Sequence, residues 1–188
     1  MSDPLIKEIL TFWFGDPQSE GYGNPRPMWF NSTEEIDQTL RFQYEKTYEK
    51  AKRGDLDDLK HTPEGALALI LILDQFPRNM FRGAPKAFET DKLAREIVKF
   101  AIQSKFDQKL PPFMRSFMYL PLEHSENMDD QNLSVALFEK LEDPLSLEYA
   151  QDHRTVIQQF GRFPYRNECL GRISTDEERK FMQGPRKF

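Results

Sequence analysis

The chain has 188 residues and a formal net charge of -5, which argues against nucleic-acid binding driven by phosphate neutralisation. A single cysteine, Cys169, excludes an internal disulfide, and the longest apolar run, Ala66 to Leu73, falls well short of the ~20 residues that span a bilayer. With 16 phenylalanines among 30% charged residues, the composition describes one domain over residues 1–188, an aromatic core in a solvated shell, expected in the cytoplasm because the first residues lack signal-peptide features.

Asp3 and Pro4 form a cap-and-start pair, and Leu5, Ile6, Ile9, Leu10 and Trp13 at helical spacing predict a first helix over residues 4–14, closed by Gly15. Pro17, Gly21, Gly23, Pro25 and Pro27 make residues 16–31 a loop at or beyond the ~12–15 residues usual in compact domains. It reads either as a lid or as a surface excursion pinned by Met28, Trp29 and Phe30. Ser32 and Glu35 form a capping box for a long amphipathic helix through Ile36, Leu40, Tyr44 and Tyr48, ending at Gly54.

Thr62 and Pro63 open the central element. Leu67 and Leu69 to Leu73 leave no polar stripe, so this helix is expected to be covered on all sides. Pro77 is expected to end or sharply kink it. Further helices are predicted from Asp91 to about Lys105, from Pro111 and Pro112 through Leu120, over Leu133 to Leu141, and from Asp143 and Pro144 through Phe160 to Gly161. A last short helix is capped by Ser174 or Thr175 with Glu177 or Glu178. No segment alternates with period two, so the class is all-α, built as an antiparallel helical array.

The chemistry-bearing residues fall in three places. Asp74, Gln75, Arg78 and Arg82 close the central helix, where they read either as an Asp–Arg pair tying down the break or as a site with one arginine facing an anion. His124 lies between Glu123 and Glu126 at a junction; it is suited to acid–base work near neutral pH or to capping a helix end. His153 sits on an apolar helix face, as a core residue or a ligand contact. Arg162, Arg166 and Asn167 follow the end of that helix, where capping explains one arginine. The run from Gln158 to Asn167 also echoes Asp74-Gln75-Phe76-Pro77-Arg78-Asn79.

These sets suggest a single polar cleft in which Glu123, His124 and Asp74 are catalytic and Gln75, Arg78, Arg82, His153, Arg162, Arg166 and Asn167 bind a ligand. No zinc-type spacing, reactive-cysteine setting, nucleophile elbow or glycine-rich phosphate loop occurs, so neither a metal nor an organic cofactor is expected. Ser125 reads as a helix N-cap. Cys169 has no local histidine partner.

Three blocks carry a family resemblance: Leu73 to Asn79 with Arg82-Gly83, Tyr119-Leu120-Pro121 with Glu123-His124-Ser125-Glu126, and His153 followed by Phe160 to Asn167 with Leu170-Gly171-Arg172. With Phe12-Trp13-Phe14-Gly15 they resemble the bacterial domain-of-unknown-function 924 family. The resemblance implies a tetratricopeptide-repeat-like superhelical arrangement, although the repeat consensus itself is not visible, and it implies no activity. The residues point to a small anionic ligand with hydrolase, lyase or isomerase chemistry. The alternative is an interaction module that grips a peptide carboxylate.

Overall fold

A computed structural model describes residues 3–29 and 32–184, and these are all-helical, with no strand among the described residues. They form two compact units, one within Met1–Arg82 and Lys86–Met118, the other within Gly83–Pro85 and Tyr119–Phe188.

In the first unit, α1 (Pro4–Phe14) starts at Asp3, whose carboxylate accepts from Leu5 N at 2.8 Å. The loop after it is a packed excursion. Arg26 Nη1 and Trp29 Nε1 donate to the Trp13 carbonyl at 2.9 and 2.8 Å, tying the loop to the end of α1. The Tyr22 ring meets Phe113 edge-on, the Trp29 ring meets Phe117 in the same way, and Met28 is buried. Phe30, the third expected anchor, lies outside the described residues.

α2 (Glu34–Lys52) is capped by Thr33, whose hydroxyl accepts from Ile36 N, and not by Ser32 as the capping-box pattern predicted. The Ser32 hydroxyl instead donates to Asp37 Oδ1 at 2.8 Å.

The central helix runs as α3 (Pro63–Ile70), a π-helical segment (Leu71–Gln75) and α4 (Phe76–Met80). Every residue from Gly65 to Pro77 is buried, as expected for an element without a polar stripe. Pro77 does not end it. Proline has no N–H for the carbonyl four residues back and its ring crowds that carbonyl. The chain widens to a π turn, with Phe76 N donating to the Leu71 carbonyl, and the Leu73 carbonyl accepts from the Thr90 hydroxyl at 2.6 Å. A buried oxygen that proline deprives of its helical donor is thereby satisfied. Phe76 then packs its ring against Tyr44 and Trp13, with centroids 5.0 and 5.5 Å away.

α5 (Asp91–Gln103) buries Ala94, Ile97, Val98 and Ala101 on one face. α6 (Pro112–Glu123) gives residues 112–118 to the first unit and 119–123 to the second. In the second unit, α7 (Met128–Glu139) and α8 (Pro144–Phe160) form a helical hairpin. Asn127, not Ser125, caps α7, its side chain accepting from Asp129 N and Asp130 N. The Ser125 hydroxyl donates to the buried Asp130 carboxylate at 2.8 Å and accepts from Asn127 N at 3.2 Å. α8 closes at Gly161, whose φ of 69° is the left-handed conformation that glycine adopts without strain. α9 (Asp176–Met182) carries a full capping box between Thr175 and Glu178. Val156, Ile157 and Phe163 form a small core with Met128, Phe160 and Phe181 against it.

Candidate functional site

The charged end of the central helix is in the first unit, and the histidine corner and second arginine-rich bend are in the second. At the helix end Asp74 is fully buried. Gln75 Nε2 donates to its Oδ2 at 2.6 Å, and Arg78 Nη1 lies 3.1 Å from its Oδ1. The spacing of four residues survives the π turn because regular helix resumes at Phe76. Arg78 also donates with both terminal nitrogens to Asp91, at 2.9 and 3.0 Å. Burial pulls the guanidinium pKa down, but Asp74 and Asp91 outweigh it and hold Arg78 above the usual arginine value. Arg82 leaves this group and pairs with Asp37 through Nε and Nη2, at 2.9 and 3.2 Å. Asn79 donates to the same carboxylate at 2.9 Å.

In the second unit the last turn of α6 presents Glu123, and α8 presents His153 to it. Both are buried, with His153 Nδ1 3.4 Å from Glu123 Oε1 and 2.9 Å from the Tyr149 carbonyl. A carbonyl accepts only, so Nδ1 is the nitrogen that carries a proton here. The His124 ring is centred 6.3 Å from that of His153. On another side His153 meets Phe163 edge-on at 5.5 Å, and the Arg166 guanidinium lies over the same Phe163 ring at 4.5 Å. Gln131, fully buried, holds the turn that carries His124 by donating to the carbonyls of Glu123 and Ser125 at 2.6 and 2.7 Å.

Arg162 and Asn167 converge on a different carboxylate. Glu178 accepts from Arg162 Nε at 2.6 Å, Arg162 Nη2 at 2.8 Å, Asn167 Nδ2 at 3.2 Å and Thr175 N at 2.8 Å. The Arg162 contact, seconded by Thr175 N and Asn167, brings the Glu178 pKa down to about 2. Glu126 accepts from Arg172 at 2.8 and 3.0 Å and from Phe163 N at 2.8 Å. Burial would raise its pKa, but these donors lower it.

Within the first unit the structure gathers Asp74, Gln75 and Arg78; within the second it gathers Glu123, His124 and His153, with Arg166 over the neighbouring Phe163, and sets Arg162 and Asn167 on Glu178. Sequence reasoning missed the carboxylates that hold the arginines: Asp37, Asp91, Glu126 and Glu178. Asp91 and Glu178 read as helix-start residues, which they also are, so their second role left no separate signal. Among the described residues no group of three or more His, Cys, Asp or Glu side chains could hold a metal ion. No described helix is long and apolar enough to cross a membrane.

The sequence pattern of the bacterial proteins of unknown function DUF924 matches residues 9–186. The chain belongs to this family. The family likeness extends to three dimensions: a protein of unknown function, ATU0120 from Agrobacterium tumefaciens, is similar in structure, with a TM-score of 0.86 and 35% identity over 96% of this chain and 98% of that one. No curated protein matches. The blocks by which the chain resembles the DUF924 family include Glu123, His124, His153 and Arg166, the second gathering above.

Proposed function

We propose that the Glu123–His153 pair is an acid–base site that acts on a small anionic molecule, with His124 beside it and Arg166 as the anion contact. The observation that carries this reading is the buried carboxylate 3.4 Å from an imidazole whose Nδ1 is already committed to the Tyr149 carbonyl. A carboxylate on that side supports the imidazolium as it forms, and Nε2 is the nitrogen that takes and returns a proton. Arg166 lies over Phe163 and close enough to Glu126 to help lower its pKa, and its guanidinium carries the fork of donors that a ligand carboxylate or phosphate would engage. Such a set serves hydrolysis, elimination or isomerisation, all of which need a proton moved beside a fixed negative charge. Arg78, Arg82 and Arg162 hold carboxylates of the chain itself in this reading.

The test is a thermal-shift screen of small carboxylates and phosphates on the full chain. A ligand at 100 times its Kd stabilises by about 2.7 kcal/mol, worth ~5–10 °C in a chain of this size. The expected result is a compound whose stabilisation is lost in Arg166→Ala and in Glu123→Gln, while Arg82→Ala keeps it. Stabilisation by acidic peptides alone, or equal stabilisation of wild type and Arg166→Ala, overturns the proposal.

A further inference from the structure

A cavity of about 270 Å³ opens in the first unit between the end of α2, residues 57–60 and α5. Its floor is Leu73, Leu93, Ile97 and Phe100, and its rim carries Lys52, Arg53 and Lys60. Leu73 belongs to the π-helical segment, and π turns recur at functional sites because they displace side chains from the regular helical pattern. Phe100 is held by edge-on contacts with His61 and Phe106, centroids 5.6 and 6.1 Å away, so the floor is a fixed apolar surface. Lys52 and Arg53 complement the negative pole of α2, but that role does not account for Lys60 or for an apolar floor beneath the three cations.

We propose that this cavity binds a small monocarboxylic acid, its ring or short branched chain on the Leu73–Phe100 floor and its carboxylate among Lys52, Arg53 and Lys60. Size and charge both select this class. The volume lies just under the ~300 Å³ where drug-sized sites begin, which restricts the body to one ring or one short chain. Lys52, Arg53 and Lys60 pair with Glu89, Asp55 and Asp57, whose side chains are 43%, 50% and 60% exposed. Exposed pairs of this kind contribute ~0–1 kcal/mol, so a ligand carboxylate held over an apolar floor displaces them readily. Asp57 and Glu96 also line the cavity, and their charge works against a dianion.

Benzoate titrated into the isotope-labelled full chain, followed by amide chemical shifts, tests the proposal. Saturable shifts are expected in residues 51–60 and 93–100. Lys60→Gln is expected to weaken benzoate about fivefold, the equivalent of one ~1 kcal/mol contact, and Leu93→Trp, which fills the cavity, to abolish the shifts while the remaining amides keep their positions. Benzyl alcohol and benzylamine, with the same ring but neutral and cationic heads, are expected to bind at least about fivefold more weakly. Equal or tighter binding of benzylamine, unchanged affinity in Lys60→Gln, or the absence of saturable shifts in those two segments overturns it. The Glu123–His153 site is untouched by these variants, so the two proposals fail separately.

Discussion

Thr90→Val tests the account of the central helix most directly. Valine keeps the shape of threonine but removes the hydroxyl that the buried Leu73 carbonyl uses at 2.6 Å. Thr90 is 1% exposed, so water does not replace the lost donor. A buried acceptor left without a partner costs ~1–3 kcal/mol. The Thr90 hydroxyl also lies within hydrogen-bonding reach of Tyr48, which places the expected loss in the upper part of that range, about 2–3 kcal/mol. In a chain of this length that is a drop of ~4–12 °C in Tm. The assay is urea unfolding followed by circular dichroism, with two companions. Thr90→Ser keeps the donor and loses only a methyl group, at ~1 kcal/mol or less. Pro77→Ala supplies the N–H whose absence creates the orphan, so in the Pro77→Ala background the valine substitution costs at least ~1 kcal/mol less. Equal losses for Thr90→Val and Thr90→Ser, or strict additivity with Pro77→Ala, would refute the reasoning.

Arg78 sits between Asp74 and Asp91, so Arg78→Met takes the guanidinium out from between two carboxylates and is expected to lose ~3–5 kcal/mol; Asp74→Asn keeps the Arg78–Asp91 pair and loses clearly less by chemical denaturation. Glu178 has its pKa lowered to about 2 from an ordinary 4.5, so its stabilisation is full above pH 4.5 and disappears as pH falls through 2. Glu178→Gln is therefore less stable than wild type at pH 7, and the gap in urea midpoint closes between pH 4.5 and pH 2. Gly65→Ala gains up to ~1 kcal/mol of helix propensity, yet its Cβ would stand 2.0 Å from the Leu59 carbonyl. A net loss of ~1–3 kcal/mol in thermal unfolding is expected.

Local signals that act within one turn were legible. Asp3-Pro4, Thr62-Pro63, Asp143-Pro144 and Gly161 mark helix ends in the sequence and in the structure, because a cap needs only its own neighbours. Ser32 and Ser125 do not cap their helices: each hydroxyl donates to a carboxylate, Asp37 or Asp130, and the capping position falls to Thr33 and Asn127. Pro77 does not end the helix, and the donor that satisfies the Leu73 carbonyl comes from Thr90, 13 residues further on. The echo between residues 74–79 and 158–167 shows how far local sequence falls short. The first copy is π- and α-helix, whereas the second leaves α8 at Gly161 and passes through a 3-10 turn at Pro164–Arg166. The residues of the candidate site were legible by type, while their partners across helices were not. His124 drew the catalytic expectation from its flanking glutamates, yet it is His153 whose ring nitrogen lies near Glu123, across two helices.

The density of charge after a wholly buried helix suggested a ligand, and covalent geometry supplies a different cause for most of it. A proline inside a helix with no exposed face must displace a carbonyl into the core, where it needs a donor; Thr90 provides one from the residue before α5. Holding α5 in that register then falls to Asp91, the next residue, and Asp91 is gripped by Arg78, one residue past Pro77. Thr90, Asp91, Arg78 and Asp74 thus form one device that lets the helix pass its proline. At Glu123 the helix continues through Pro121, and Gln131 holds the turn after it through backbone carbonyls. Burying a carboxylate costs desolvation, and here an imidazole 3.4 Å away offsets it. A carboxylate and an imidazole can exchange a proton near neutral pH, whereas an arginine keeps its own, so the acid–base assignment rests on Glu123 and His153 and not on the more conspicuous arginines.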